Sequence, residues 1–137
     1  MENKLRIFSL VLLLLVGSLA IGGGWMLVRD PSGFSMELAS EFLNKTPFSS
    51  YLVPGVILLL AIGFPSIVVA ILGVRKYDYY PMLLVFQACI LFGWLTIELI
   101  LNIEFYHPLY HIPLYTIGLV LIIFGFILKN KTREVRE

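Results

Sequence analysis

The chain has a single cysteine, Cys89, in 137 residues. That excludes an internal disulfide and any CxxC redox or zinc pair. Charge is scarce too: 14% of residues are Asp, Glu, Lys or Arg, against about a quarter in a soluble domain. The formal net charge is +1, so nothing suggests a nucleic-acid partner. There is no Gly-rich phosphate loop, no nucleophile–base pair and no paired acidic motif. The sequence therefore offers no catalytic, cofactor-binding or metal-ligating set, and a non-enzymatic chain is expected.

What the chain has in excess is apolar side chains, 59% of the total. A chain so poor in polar residues has too few to cover a water-facing surface, which points to lipid as the solvent for most of it. Four runs approach the roughly 20 residues needed to cross a bilayer. They are Leu5 to Val28, Tyr51 to Val74, Met82 to Ile103 and Ile112 to Leu128. Hydrocarbon offers a backbone no hydrogen-bond partners, so each should be a helix. The expected fold is an all-α integral membrane protein, residues 1–137 forming one four-transmembrane-helix bundle.

Lys and Arg set the expected orientation. Lys4, Arg6, Arg75, Lys76, Lys129, Lys131, Arg133 and Arg136 fall on one side, and only Arg29 and Lys45 on the other. By the positive-inside rule both termini are cytoplasmic, in a plasma (inner) membrane. Tyr77, Tyr79 and Tyr80 mark the inner interface. Trp25, Phe48, Tyr51, Phe105, Tyr106 and Tyr110 mark the outer one. The opening MENKLRIFSLVLLLLVGSLA also has the basic n-region, apolar core and S-L-A triplet of a secretory signal. Its apolar run continues past Ala20 to Val28, long enough to stay in the membrane as a span.

The first outer loop opens on Asp30-Pro31-Ser32-Gly33, a turn signal. Residues 36–43 follow, with Met36, Leu38, Ala39, Phe42 and Leu43 on one helical face and Glu37, Ser40 and Glu41 on the other. This predicts a short amphipathic helix on the outer membrane surface. In the second span Pro54 falls in the first turn, where a missing N–H costs little. Pro65 lies deeper and frees the Ala61 carbonyl, so a kink near residues 61–65 is expected. Small residues supply packing faces: Ser18 with Gly22 and Ala20 with Gly24 in the first span, Gly118 with Gly125 in the fourth.

One carboxylate stands inside a span. Glu98 lies about 24 Å of helix rise beyond Met82, in the outer leaflet. With Gln87, Leu91, Trp94 and Asn102 it forms a stripe at helical spacing, which should face the bundle interior. Arg29, at the outer end of the first span, is the expected partner; Lys45 or a histidine comes second. Glu98, Gln87, Asn102 and Arg29 together are the candidate intramembrane polar site. Its structural reading is a contact that fixes helix register. Its functional reading is a protonatable site for coupled transport, or an anchor for a ligand. Glu104, His107 and His111 have metal-ligating side chains, but Pro108 and Pro113 argue against a regular helix across both histidines. Interfacial capping is the expected role, with no metal.

These features together resemble a group of small, uncharacterised bacterial four-transmembrane-helix membrane proteins. The resemblance runs through the outer D-P-S-G turn (Asp30 to Gly33) and the T-P-F-S-S-Y-L-V-P-G lead into the second span (Thr46 to Gly55). It continues through a G-W with a polar residue four positions later (Gly93 to Glu98) and a P-L-Y before the fourth span (Pro108 to Tyr110). It covers nearly the whole chain and implies topology rather than an activity. Glu98 stands where such proteins often carry glutamine. Small multidrug-resistance transporters are similar in size but place their glutamate in the first span, which has no acid here. Quinone-linked disulfide-forming enzymes need cysteine pairs. The sequence reading is thus a small non-enzymatic interaction or structural membrane protein, its partners membrane lipids and another membrane protein or itself. The alternative is a small proton-coupled transporter or ligand-binding protein using Glu98.

The orientation can be checked by labelling. In a Cys89→Ser background, Ser32→Cys should react with a membrane-impermeant maleimide in intact cells, and Asp78→Cys only after permeabilisation. The reverse pattern would invert the topology.

Overall fold

Four long helices carry the chain back and forth in an up-and-down bundle. The computed structural model describes residues 2–34, 43–44, 46–103 and 108–136, with backbone alone at 2, 110 and 132–136. The helices are α1 (Glu2–Arg29), α2 (Leu52–Val74), α3 (Tyr80–Leu101) and α4 (Pro108–Arg136). All four are long and apolar enough to span a bilayer. The outward faces carry exposed Phe8, Val11 and Leu19 on α1, Leu60 and Val68 on α2, Phe86 and Ile100 on α3, and Leu119 and Phe126 on α4. Such a surface suits hydrocarbon and not water. The fold is that of a multi-pass membrane protein.

The ends differ from the sequence expectation in a consistent way. α1 begins at Glu2 and α4 runs on to Arg136, because a helix extends into water wherever its residues are good helix formers. The run Lys129–Arg136 ends the apolar span without ending the helix. At its start, α4 begins on Pro108, whose fixed φ and missing N–H suit a first helical position. The predicted amphipathic helix at 36–43 lies, except for Leu43, outside the described residues. The Asp30–Gly33 turn is present: the Gly33 N–H donates to the Asp30 carbonyl (3.1 Å) and the Ser32 hydroxyl to the Asp30 carboxylate (2.5 Å). Gly33 takes a positive φ of 77°. The Tyr51 N–H then donates to the Pro31 carbonyl (2.8 Å), tying the start of α2 to the end of α1.

Glycines set how closely the helices approach. A Cβ on Gly24 would lie 2.8 Å from the Gly55 carbonyl oxygen, and one on Gly17 would lie 3.2 Å from the Gly63 carbonyl oxygen. α1 and α2 therefore meet backbone to backbone at two levels. On the other side of the bundle, Gly125 abuts Val85 and the Pro81 carbonyl, and Gly118 faces Ala88, Leu91 and Phe92. The Gly118/Gly125 face packs as its spacing implied. The Ser18/Gly22 pair does not: both residues are exposed and Gly22 has nothing within 4 Å of its would-be Cβ. The packing face of α1 is Gly17, Ala20 and Gly24, one residue round from that pair.

Within α2 a π-helical turn, Leu58–Gly63, separates two α-helical segments. In this turn the Phe64 N–H reaches back five residues to the Leu59 carbonyl. The deviation expected from Pro65 thus takes the form of a wide turn just ahead of the proline. α2 ends in a capping motif with crossed bonds, Lys76 N–H to Gly73 carbonyl (3.1 Å) and Tyr77 N–H to Leu72 carbonyl (3.0 Å). Lys76 takes the left-handed conformation this motif requires, φ 56°.

The glycine contacts predict a contrast between neighbours. Gly24→Ala should destabilise the protein by about 1–3 kcal/mol, because Gly55 and Leu59 would have to move. Gly22→Ala should be neutral or stabilise by up to about 1 kcal/mol through helix propensity. Thermal unfolding of both variants in one detergent checks this; equal effects would contradict the packing described.

Candidate functional site

The interior-facing stripe of α3 is where the polar side chains of the spans converge. Gln87, Leu91, Trp94 and Asn102 are all buried, and the Glu98 side chain is 22% exposed. The stripe faces inward because its neighbours on the opposite face of α3, Phe86, Ile97 and Ile100, carry the apolar surface that lipid accepts.

Gln87 lies beside the irregular part of α2. Its amide nitrogen donates to the carbonyls of Ala61 (3.0 Å) and Ile62 (3.3 Å) and meets the Ser66 hydroxyl at 3.2 Å. The Ala61 carbonyl is the one that Pro65 deprives of its helical donor. In hydrocarbon an unsatisfied carbonyl costs several kcal/mol, so a donor from the next helix answers a need that the proline creates. Gln87, 3% exposed, with Ser66 fully buried, therefore forms a lock between α2 and α3.

Glu98 belongs to a second level, between α3 and α4. Its carboxylate oxygen lies 3.3 Å from the His111 ring nitrogen Nε2, and His111 is fully buried. The Trp94 indole N–H, one turn earlier on α3, approaches the same carboxylate without closing a well-formed hydrogen bond. Asn102 ends α3: it leaves the helix with an extended backbone while its N–H donates to the Glu98 carbonyl (3.1 Å). Below the pair, the Thr96 hydroxyl meets the Tyr115 hydroxyl at 2.9 Å. The Phe92 and Tyr115 rings pack edge to face with centroids 4.7 Å apart. His111, Tyr115, Gly118 and Gly125 recur at helical spacing on the α4 face that meets α3.

The candidate residues are thus divided. Gln87, Glu98 and Asn102 share the inward stripe, but Gln87 engages α2 while Glu98 engages α4. Arg29 is exposed at the end of α1, and the partner of Glu98 is His111. The reason is connectivity: α3 and α4 are joined by a short loop, and consecutive helices so joined pack as neighbours. Lys45, Glu104 and His107 lie outside the described residues. Among the described residues no three His, Cys, Asp or Glu side chains form a metal-binding group. Cys89 is exposed on the outer face of α3.

A further polar contact, which the sequence reading did not single out, joins the other end of the bundle. The Ser9 hydroxyl donates to the Arg6 carbonyl (2.7 Å) and shares a hydrogen bond with the Tyr80 hydroxyl (2.6 Å), both side chains fully buried. The Arg6 guanidinium lies 5.4 Å from the centre of the Tyr80 ring, within cation–π range. Tyr80 reads in sequence as one more interfacial tyrosine. Only Gly73, which leaves room against its ring, hints that it turns inward.

The Gln87 lock predicts non-additive energetics. Gln87→Leu should cost about 1–2 kcal/mol and Ser66→Ala less. The double variant should cost little more than Gln87→Leu alone, because both remove one shared hydrogen bond. Unfolding midpoints of the three variants decide it; strictly additive losses would count against the shared bond.

Comparison of the chain with protein-family models, with curated proteins and with solved structures found no match.

Proposed function

We propose that this protein is a non-enzymatic scaffold of the plasma (inner) membrane, both termini cytoplasmic, that acts by packing against lipids and other membrane proteins. The observation that carries this reading is where its intramembrane polar groups are used. Gln87 is engaged with the α2 backbone and Ser66, and Glu98 faces His111 across the α3–α4 interface. Each such group holds one helix against the next. A chain whose polar residues fix the mutual positions of its spans presents a rigid apolar exterior, which is what a packing partner needs.

The second reading rests on the same pair. An acid and a base 3.3 Å apart, with the base buried, have the chemistry for passing a proton, as a small proton-coupled transporter would require. One variant separates the two. Under the scaffold reading, Glu98→Gln leaves the set of proteins crosslinked in native membranes unchanged, whereas Gly22→Leu on the outward face of α1 alters it. Under the transport reading, Glu98→Gln abolishes proton-linked flux in liposomes while the purified protein still folds. Flux that depends on Glu98 would overturn the scaffold assignment.

A further inference from the structure

Lys76 occupies a position whose backbone favours glycine. At φ 56° its Cβ crowds the following carbonyl, and the motif that closes α2 normally places Gly there. The lysine therefore sits at this position against its backbone preference, and an observed outlier of this kind invites a role for the side chain. That side chain is exposed, as is Arg75 beside it.

Other cations surround the same end of the bundle. Gly73 packs against Leu10 and Tyr80, and Gly125 against Pro81, so the start of α1, the end of α2, the start of α3 and the end of α4 lie at one level. Lys4 and Lys129 are exposed just beyond it. Among the described residues no carboxylate forms an ion pair with Lys4, Arg75, Lys76 or Lys129. Asp78 stands in the same loop, already engaged in an interaction of its own. Tyr77 and Tyr79 are exposed, their ring centroids 5.7 Å apart, as amphipathic rings at a lipid headgroup level are. The apolar span of α2 ends at Val74, which puts Arg75 and Lys76 at the depth of the lipid phosphates.

We infer that Arg75 and Lys76 form a contact site for the phosphate of an anionic phospholipid, with Tyr77 and Tyr79 alongside at the glycerol level. A lysine ammonium is a compact charge on a flexible stem and suits a phosphate without fixed geometry. The strained turn fixes where that stem begins. The inference goes beyond the scaffold reading and does not depend on which leaflet this end faces.

The test uses the full chain purified in a neutral detergent. It is titrated with phosphatidylglycerol, phosphatidylcholine or inorganic phosphate, and read by thermal unfolding and by native mass spectrometry of retained lipid. Phosphatidylglycerol should raise the wild-type midpoint more than phosphatidylcholine, and inorganic phosphate should not. Lys76→Gly should melt higher than wild type without lipid, yet retain phosphatidylglycerol about fivefold less tightly, as expected for one lost cation. Lys76→Arg should keep the lipid response without the lipid-free gain. Arg75→Gln should weaken retention without raising the lipid-free midpoint. Equal phosphatidylglycerol retention by Lys76→Gly and wild type overturns the site, as does equal stabilisation by phosphatidylcholine. A matching shift with inorganic phosphate would assign the site to a soluble anion and overturn the lipid assignment. A Lys76→Gly protein that gains nothing in lipid-free detergent removes the premise of strain and with it the inference.

Discussion

In hydrocarbon a backbone carbonyl that loses its helical donor must find another inside the protein, and this constraint organises the bundle. Pro65 removes one donor from the middle of α2. The adjoining π-helical turn redistributes the neighbouring bonds, and Gln87 of α3 reaches across to the Ala61 and Ile62 carbonyls. A defect in one helix thereby becomes an attachment point for the next. The attraction is modest, since intramembrane hydrogen bonds average about 0.6 kcal/mol in measured cases. The larger effect is on register, because any slide of α3 along α2 would leave those carbonyls bare.

Among the described residues, the polar contacts between helices sit at different depths and join three pairs of helices. Ser9–Tyr80 links α1 with α3 at one end, Gln87 links α3 with α2 in the middle, and Glu98–His111 links α3 with α4 towards the other end. α3 takes part in every one. Close glycine packing supplies the complementary contacts, α1 with α2 through Gly17, Gly24, Gly55 and Gly63, and α3 with α4 through Gly118 and Gly125. The bundle is therefore two tightly packed hairpins, α1–α2 and α3–α4, with α3 carrying the polar links between them.

Much of this is legible in the amino-acid order. Hydropathy alone marks the four spans, since few other structures satisfy a backbone in lipid. The inward stripe of α3 follows from residue spacing, and the orphaned Ala61 carbonyl follows from Pro65. Its donor is harder to read, because no local rule says which residue of another helix will come level with it. The partner of Glu98 was within reach: His111 lies seven residues before Gly118 on the glycine face of α4, so the face that packs on α3 includes the histidine. Charge matching favours Arg29 instead, because formal charge is easier to see in a sequence than helix adjacency. The Ser18/Gly22 pair misleads for a related reason: small residues permit close packing on whichever face they occupy, but do not say which face is used.

The wide turn in α2 has one more consequence, for helix phase. The glycines of α1 that touch α2, Gly17 and Gly24, are seven residues apart, whereas their counterparts, Gly55 and Gly63, are eight apart. On an uninterrupted α-helix an eight-residue interval would turn the second glycine about 80° away from the first, and a seven-residue interval only about 20°. A π turn accommodates one surplus residue, so the two α2 glycines come back into line and mate with a helix whose interval is one residue shorter. The irregularity reads as a spacer that lets two helices of unequal count share a single seam, and trimming one residue from it would leave that seam aligned on a plain helix.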